Sequence, residues 1–577
     1  MPDVDKLIAR NTQMKNMKTP WLPLYQALAM YVFLRKQYFT IDYLKTPFML
    51  NFVFDSTAIH AAHMMAASLV GQILPNPFES FEFVPEIAST ELTDEDYDFF
   101  QTVNEVIPSV MSLPEANTMP SLYETILDMG VFGIGSWCVD ETDDYAAPVR
   151  FSSSDAKVMS VDENQYGQVD TVYLEKMMRV VQIVEKYGYD NCSQVVQKKY
   201  MDKEFDTEIK VLQVIEPRRE RDPMMLGALD MPYASIHIEL DQRHILLESG
   251  YNELPVIVAR FWKNSNEIQG RSPAMDALPD IRAVNKLVEI FERAGEMGLD
   301  PPRMISSEDV LGAGKTPWGP GVEIPVHTNS RLGTDRRPPI EIIQTMDNPS
   351  WATQRISDLR DNIREYFMID YLTDLNNKSR QTLGEADIRN EKGMYITGSV
   401  LNRVLVELLG PALDRAFNIL LAKGFFGVIR GSVQDARLQA MGIQPKYISS
   451  RFIQSRIRGA RGYRLNFISP AARLMKLEEA KGLQDLLTFA TALAQIKPDS
   501  LDVLNADEML RGRQRLNGAS QKMLNTPDQV QQIRQARAQQ QAQQQQQQQQ
   551  LTQAHALKLM GAGAKDLANA GTTGFAA

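Results

Sequence analysis

A stretch rich in proline and glycine stands between two amphipathic, charged segments, and that order constrains residues 272–371 more than any other feature of the chain. Ser272 has an N-cap side chain, and Pro273 suits the first helical position, where a missing N–H costs nothing. Ala274, Ala277, Leu278, Ile281, Val284, Val288 and Phe291 recur at steps of three and four and make one apolar face. Asp280, Arg282, Lys286, Glu289 and Arg293 cover the rest. Pro279 introduces a kink into the first turns, and Gly298 followed by Pro301 and Pro302 is a stop signal. The spacing predicts a helix to Gly298, a rod of roughly 40 Å at about 1.5 Å per residue.

A second rod is predicted from Ser350. Its stripe is Ala352, Ile356, Leu359, Ile363 and Phe367, with Arg355, Asp358, Arg360, Asp361, Arg364 and Glu365 facing away. Mixed charge of this kind reads as a solvated face, or as charge that pairs across neighbouring copies. Residues 299–349 hold 8 of the chain's 30 prolines and 5 glycines, which excludes a long helix and favours turns and short strands. Val322, Ile324 and Val326 alternate as in a strand, as do Ile340 and Ile342. Gly312-Ala313-Gly314-Lys315-Thr316 imitates the end of a phosphate-binding loop. Asp309 stands where that motif needs its first glycine, however, and Pro317 stands where its helix must begin. The shape is a rod, a cap and a returning rod, which suits side-by-side assembly.

A polar run from Thr373 to Gln381 follows, with two cations, Lys378 and Arg380. Thr382 and Glu385 then make a capping box that opens a long helix carrying Ile388, Ile396, Val400, Val404, Leu408 and Leu413, with a bend at Gly410-Pro411. The run reads as an ordinary helix–helix connection, or as a projection whose cations touch phosphates.

At 577 residues the chain has the length of about three or four domains. Cys138 and Cys192 are too few for a disulfide framework and suit a reducing cytoplasm. Neither a long apolar run nor a basic-then-apolar leader is present, so no membrane span or secretion signal is expected. Lys and Arg number 61 against 72 Asp and Glu, a net charge of −11. A sequence-specific DNA binder is usually basic. Taken alone, an acidic chain argues against DNA contact.

Residues 1–265 read as mixed α and β. A helix is predicted over Thr57 to Leu74, and strands at Thr171 to Leu174, Val211 to Val214 and Ile236 to Leu240. Tyr187 to Glu204 is polar and reads as irregular. His60 and His63 lie three apart, but no Cys, Asp or Glu pair at ligand spacing joins them, so no metal or cofactor is expected. Gly130, Gly133 and Gly135 miss the dinucleotide spacing and read as tight packing. Asp94, Glu95 and Asp96 read as a solvated first helical turn behind an N-cap at Thr93.

Residues 446–464 hold Lys446, Arg451, Arg456, Arg458, Arg461 and Arg464 with no Asp or Glu, interleaved with Tyr447, Phe452 and Tyr463. This is the most nucleic-acid-like patch of the chain. It reads first as a positive subunit interface or scaffold-protein dock, and second as a DNA contact. Leu474, Leu477, Leu483, Leu486, Leu487 and Phe489 suit a small helical domain ending near Gly518. Gln539 to Gln550 is glutamine apart from Ala542, a composition open to both helix and disorder.

The order of rod, Pro/Gly-rich cap, rod, polar loop and long helix resembles the portal proteins, or head–tail connectors, of short-tailed, podovirus-type bacteriophages. The likeness covers about residues 20–525, in matching order. Asn51 to Phe83 is similar to that family's N-terminal region, with Ser56-Thr57-Ala58 opening its helix and Leu74-Pro75-Asn76-Pro77-Phe78 closing it. Tyr123 to Val139 is similar as well, through Gly130-Val131-Phe132-Gly133-Ile134-Gly135. Leu254-Pro255-Val256-Ile257-Val258-Ala259-Arg260 running into Gly270-Arg271-Ser272-Pro273 resembles its strand into the first stem helix. Tyr463-Arg464-Leu465-Asn466-Phe467-Ile468-Ser469-Pro470 resembles its late strand.

The resemblance implies an α+β, mainly helical portal fold and a ring oligomer, typically of twelve subunits, at one vertex of an icosahedral head. Residues 1–265 would be the wing, 266–298 the first stem helix, and 299–349 a small α/β clip facing the packaging motor and later the tail. Residues 350–371 would be the second stem helix, 372–382 the tunnel loop, 383–474 the wing helix and late strands, and 475–526 the helical crown. Residues 527–577 would be a tail that some portals extend into a helical barrel. The tunnel loop would bring Asn376, Asn377, Lys378, Ser379 and Arg380 near DNA. The implied partners are the terminase large subunit, the major capsid and scaffold proteins, a tail adaptor, and double-stranded DNA passing without sequence specificity. The place implied is the virion, and the host bacterial cytoplasm during assembly, with no catalysis and no cofactor. Two other readings of the residues stay open: a monomeric nucleic-acid-binding module centred on 446–464, and a cytoplasmic enzyme whose site has no recognised motif.

Overall fold

The computed structural model describes residues 3–36, 52–86, 93–222, 225, 227–307, 319–327, 340–342, 350–369, 398–442 and 444–468, and parts of 482–552. They belong to two compact units, one of residues 1–84, 101–448 and 465–476, the other of 85–100, 449–464 and 477–577. Helices α1 (Val4–Lys18), α2 (Leu22–Tyr31), α3 (Thr57–Ile73) and the short α4 (Pro77–Ser80) precede strand β1 (Phe81–Pro85). Helices α5 (Asp94–Met111) and α6 (Thr118–Phe132) follow. The face of α3 is built from small residues, Ala58, Ala61, Ala62 and Ala66, beside Met65, Leu69, Val70 and Ile73. That lets α6 come close: a Cβ on Gly130 would fall on the end of the Met65 side chain. The glycines of this segment serve packing, as their spacing predicts.

Next in the chain come β2 (Ile134–Glu141), β3 (Val149–Ser153), β4 (Met159–Glu163), β5 (Val169–Arg179), α7 (Val180–Tyr187), α8 (Gln194–Met201), β6 (Glu208–Pro217), β7 (Tyr233–Glu239), β8 (His244–Tyr251) and β9 (Val256–Arg260). Strands β4 to β8 form an antiparallel meander of five in sequence order, and β9 returns to pair with β2 in a sheet of order β3-β2-β9. The predicted strands fall on β5, β6 and β7, with Leu240 one residue past the end of β7, and are shorter than the ladders. Polar Lys176 and Arg179 pair with Val211 and Glu208, since backbone hydrogen bonds continue where the side-chain alternation has stopped. Tyr187 to Glu204 is not irregular throughout. Ser193 caps α8 by accepting the Val196 N–H at 3.3 Å, and Val196 is buried with Val180, Ile183 and Cys192. One buried side chain in so short a helix leaves no stripe to read. Both cysteines are buried free thiols, and burial pushes each pKa up.

The long helix α9 (Pro273–Leu299) packs against α10 (Ser350–Tyr366). Between them in sequence lie β10 (Arg303–Ser307), β11 (Glu323–His327) and β12 (Ile340–Ile342), a sheet of order β11-β10-β12 with one parallel and one antiparallel pairing. Ser272 caps α9 as predicted, accepting the Met275 N–H at 3.2 Å while its hydroxyl donates to the Val131 carbonyl at 2.7 Å. Where this helix starts, Gly133 and Gly270 bring two backbones together, and a Cβ on either would strike the other's carbonyl. The helix runs through Pro279 without a break. The segment 312–316, the imitation phosphate loop, lies outside the described residues.

A helix from residue 398 passes into a π turn, Val404–Leu409, and then α11 (Gly410–Ala422). The bend predicted at Gly410-Pro411 takes this form because Pro411 has no N–H for the Glu407 carbonyl and its ring would clash with it. Gly410 instead reaches back five residues to the Leu405 carbonyl. Helices α12 (Val433–Ala440) and α13 (Ser450–Ile457) and strand β13 (Tyr463–Phe467) complete the named elements. The fold is mixed α+β. Among the described residues no helix is long and apolar enough to cross a membrane. The glutamine-rich tail is helical at 530–545, with its side chains exposed apart from half-buried Val530.

Candidate functional site

Helix α9 buries one end of its stripe, whereas α10 buries its stripe along its whole length. In α10 the predicted stripe Ala352, Ile356, Leu359 and Ile363 is buried throughout, and Phe367 just beyond it is also buried. In α9 the stripe is buried from Ala274 to Val288 and then fades: Phe291 is half-buried, Ile290 is 52% exposed and Leu299 90% exposed. Trp351, at the start of α10, is 70% exposed. Apolar side chains are therefore shown to solvent at the last residue of α9 and near the start of α10, and at Ile290 within α9.

Two polar residues fasten the buried ends. Asn285 of α9 accepts the N–H groups of Phe54 and Asp55 at 2.7 and 3.2 Å and donates to the Phe52 carbonyl at 2.7 Å. Asp55 accepts the Thr57 N–H at 2.9 Å, which starts α3, and pairs with Arg360 of α10 at 2.8 Å. Burial works against the Asp55 carboxylate, but hydrogen bonds from Thr57 and Arg360 outweigh it and hold its pKa below the ordinary value. Arg360 thus departs from the expectation of a solvated or intersubunit charge: it pairs inside the chain. Arg364 and Asp361 pair along the helix at 3.2 Å. Asn285 is missed by sequence reading, although an Asn placed between Ile281 and Val288 in an apolar stripe is a signal.

Beyond α10, Phe367, Met368 and Ile369 are buried, with Met368 at φ +55°. The polar run with Asn376, Asn377, Lys378, Ser379 and Arg380 lies outside the described residues, as do Thr382 and Glu385.

The basic segment is divided. Lys446, in the first unit, donates to the Thr102 hydroxyl at 3.3 Å. Tyr447 donates to Asp435 at 3.3 Å, with the Arg430 guanidinium 4.6 Å above its ring. In the second unit Phe452 is 4% and Tyr463 3% exposed, and Phe452 packs on Phe99 at 5.0 Å. Two of the three interleaved aromatics are therefore core side chains, closed to stacking on bases. Arg456, Arg458, Arg461 and Arg464 are exposed, beside Ile457 at 80%.

Asp96 corrects the reading of a solvated turn. It is buried, accepts the Thr93 N–H at 3.0 Å and hydroxyl at 2.8 Å, and takes the Ser449 hydroxyl on its other oxygen. Ser449 in turn caps α13, so one carboxylate joins the starts of α5 and α13. Arg451 lies 4.0 Å from Asp96, and Ser450 donates to Glu95 at 3.3 Å. The acidic and basic runs, distant in sequence, meet within one unit. His63 lies 2.6 Å from the Tyr123 hydroxyl through Nδ1, while His60 is exposed.

The model of the bacteriophage head to tail connecting protein family matches residues 4–524. The chain is 23% identical over 541 residues to the probable portal protein of Bordetella phage BPP-1, covering 92% of this chain and 90% of that one. It is 25% identical over 436 residues to the portal protein of Salmonella phage epsilon15, covering 74% of this chain and 71% of that one. The matched span takes in the paired rods, the five-stranded sheet, both three-stranded sheets and the basic segment. The chain belongs to the bacteriophage head to tail connecting protein family, and its role is that of a phage portal protein, a structural component rather than an enzyme.

Proposed function

We propose that twelve copies of this chain form a ring at one capsid vertex and line the channel through which double-stranded DNA is packaged and later ejected. The observation that carries the ring is the helix pair α9–α10. Its base is anchored in the chain's own core, and Ile290, Leu299 and Trp351 stay exposed at the other end. In a closed ring the next copy covers these exposed side chains. Residues 266–298 and 350–371 are then the stem, 299–349 the clip that meets the terminase large subunit and afterwards the tail adaptor, and 372–382 the tunnel loop. Residues 1–265 and 383–474 form the wing, and 475–526 the crown inside the head. Major capsid and scaffold proteins meet the ring from outside, and the virion is where it resides. The net charge of −11 suits a wall that lets phosphates pass. The arginines from Arg456 to Arg464, around exposed Ile457, suit a subunit interface. Replacing both Lys378 and Arg380 with Ala tests the loop: the ring should keep its mass while DNA packaged per head falls. Loss of the ring would make those cations structural.

A further inference from the structure

Helix α1 lies across one face of the five-stranded sheet and is held there mainly by polar contacts. Its apolar contribution is small. Leu7 and Met14, two turns apart, pack with Val4 on Tyr173, Leu212, Val214, Ala234, Ile236 and Ile238. Arg10 reaches Asp162 at 3.4 Å and Glu216 at 3.0 Å, Lys15 reaches Glu175 at 2.5 Å, and Asp5 takes Arg243 at 2.7 Å. Asn11 donates to Glu175 at 2.8 Å, while its Oδ1 is buried without a hydrogen bond. Lys18 donates to the carbonyls of Ala156, Lys157 and Met159. Half-exposed ion pairs hold weakly and loosen as salt rises. Pro20, in the 3₁₀ turn Thr19–Trp21, separates α1 from α2, whose Tyr25, Leu28 and Ala29 are fully buried. The first helix has its own fastening, distinct from that of the second.

We propose that α1 is an exchangeable strap, and that the sheet face beneath it is a docking surface for the same basic helix presented by a second copy of the chain. Charge and shape argue for that occupant. The apolar strip matches Leu7 and Met14, and the rim of Asp162, Glu175 and Glu216 matches Arg10 and Lys15. A second copy brings that match unaltered, and closely packed copies bring it at high local concentration. Exchange between neighbours rests on the ring proposed above, whereas the docking surface itself does not.

A labelled peptide of residues 3–19 tests it, titrated into the full-length chain and into the full-length R10E/K15E variant. The substitutions alter half-exposed side chains, and circular dichroism checks the fold. The variant, its own strap loosened, should bind the peptide at least about tenfold more tightly than the native chain does, and more weakly as salt rises from about 0.05 to about 0.3 M. Adding Glu175→Lys should remove the binding. No binding by the folded variant, or binding that Glu175→Lys leaves intact, overturns the proposal. Hydrogen exchange of the native chain gives a second reading. Amides of 4–18 should exchange faster than those of 22–31 and speed up with salt, and equal, salt-independent protection overturns it. Neither measurement needs a ring, so a failed ring and a failed strap are told apart by particle mass.

Discussion

Asn285 and Lys18 both bury polar groups, and their partners decide whether that stabilises. Asn285 satisfies two N–H groups and one carbonyl of residues 52–55, so Asn285→Ala leaves three backbone groups unmet, that of Asp55 buried and those of Phe52 and Phe54 half-buried. At about 1 kcal/mol per bond, the loss of the three bonds should be about 3 kcal/mol. A lower urea midpoint reads it, and an unchanged midpoint contradicts it. Lys18 is different, because desolvation by burial pushes its pKa down to about 8 from the ordinary 10.5. Below pH 8 the ammonium is buried at full desolvation cost. Between 8 and 10.5 the folded chain sheds the proton before the unfolded chain, so stability rises with pH across that window, by about 3 kcal/mol. Melting curves of the native chain against Lys18→Met should diverge in that direction, and a constant difference contradicts it. Neither residue was legible as an anchor. Their preferences taken locally are for solvent, and the partners lie far off, 230 positions away for Asn285 and Asp55 and 138 for Lys18 and Ala156.

Among the helices, those with a clear period were legible and those fixed by distant contacts were not. Helix α3 forms where it is predicted, and the stripes of α9 and α10 lie as predicted apart from half-buried Phe291, since burial on one face forces a spacing of three and four. Helix α8 and strand β10 lack a pattern: one is anchored by a single valine, and the other, Arg303 to Ser307, pairs on both sides through its backbone. The basic run of residues 446–464 was legible as charge but not as structure. Phe452 and Tyr463 turn inward, and Arg451 comes close to an acid more than three hundred residues away. The π turn was legible only as a bend. It brings Glu407 against Arg260, whose backbone N–H donates to Oε2 at 3.4 Å and whose Nε lies 3.7 Å from the same oxygen. Pro411→Ala should let the helix return to α register and draw Glu407 away, leaving buried Arg260 less compensated. The expected outcome is a net loss of about 1–2 kcal/mol in chemical denaturation, although alanine is the better helix former. A gain in stability contradicts this.

Across the chain, an acidic composition, an anchored helix pair with exposed Ile290, Leu299 and Trp351, and a short mixed sheet that lies between the rods in sequence all suit many copies standing around a passage. The order of segments made the two rods and the short strands between them legible, because each rod is bounded by caps and breakers that local chemistry dictates. The glutamine tail was not legible, since glutamine is compatible with both helix and disorder, and the described part is helical. Side-by-side assembly of α9–α10 around an open axis underlies the rest. Native mass measurement of the purified full chain, with negative-stain imaging of the same sample, decides it. Twelve copies of 65.2 kDa give particles of about 0.8 MDa with a stain-filled hole on the axis. Particles of one chain, or larger particles with no hole, contradict it.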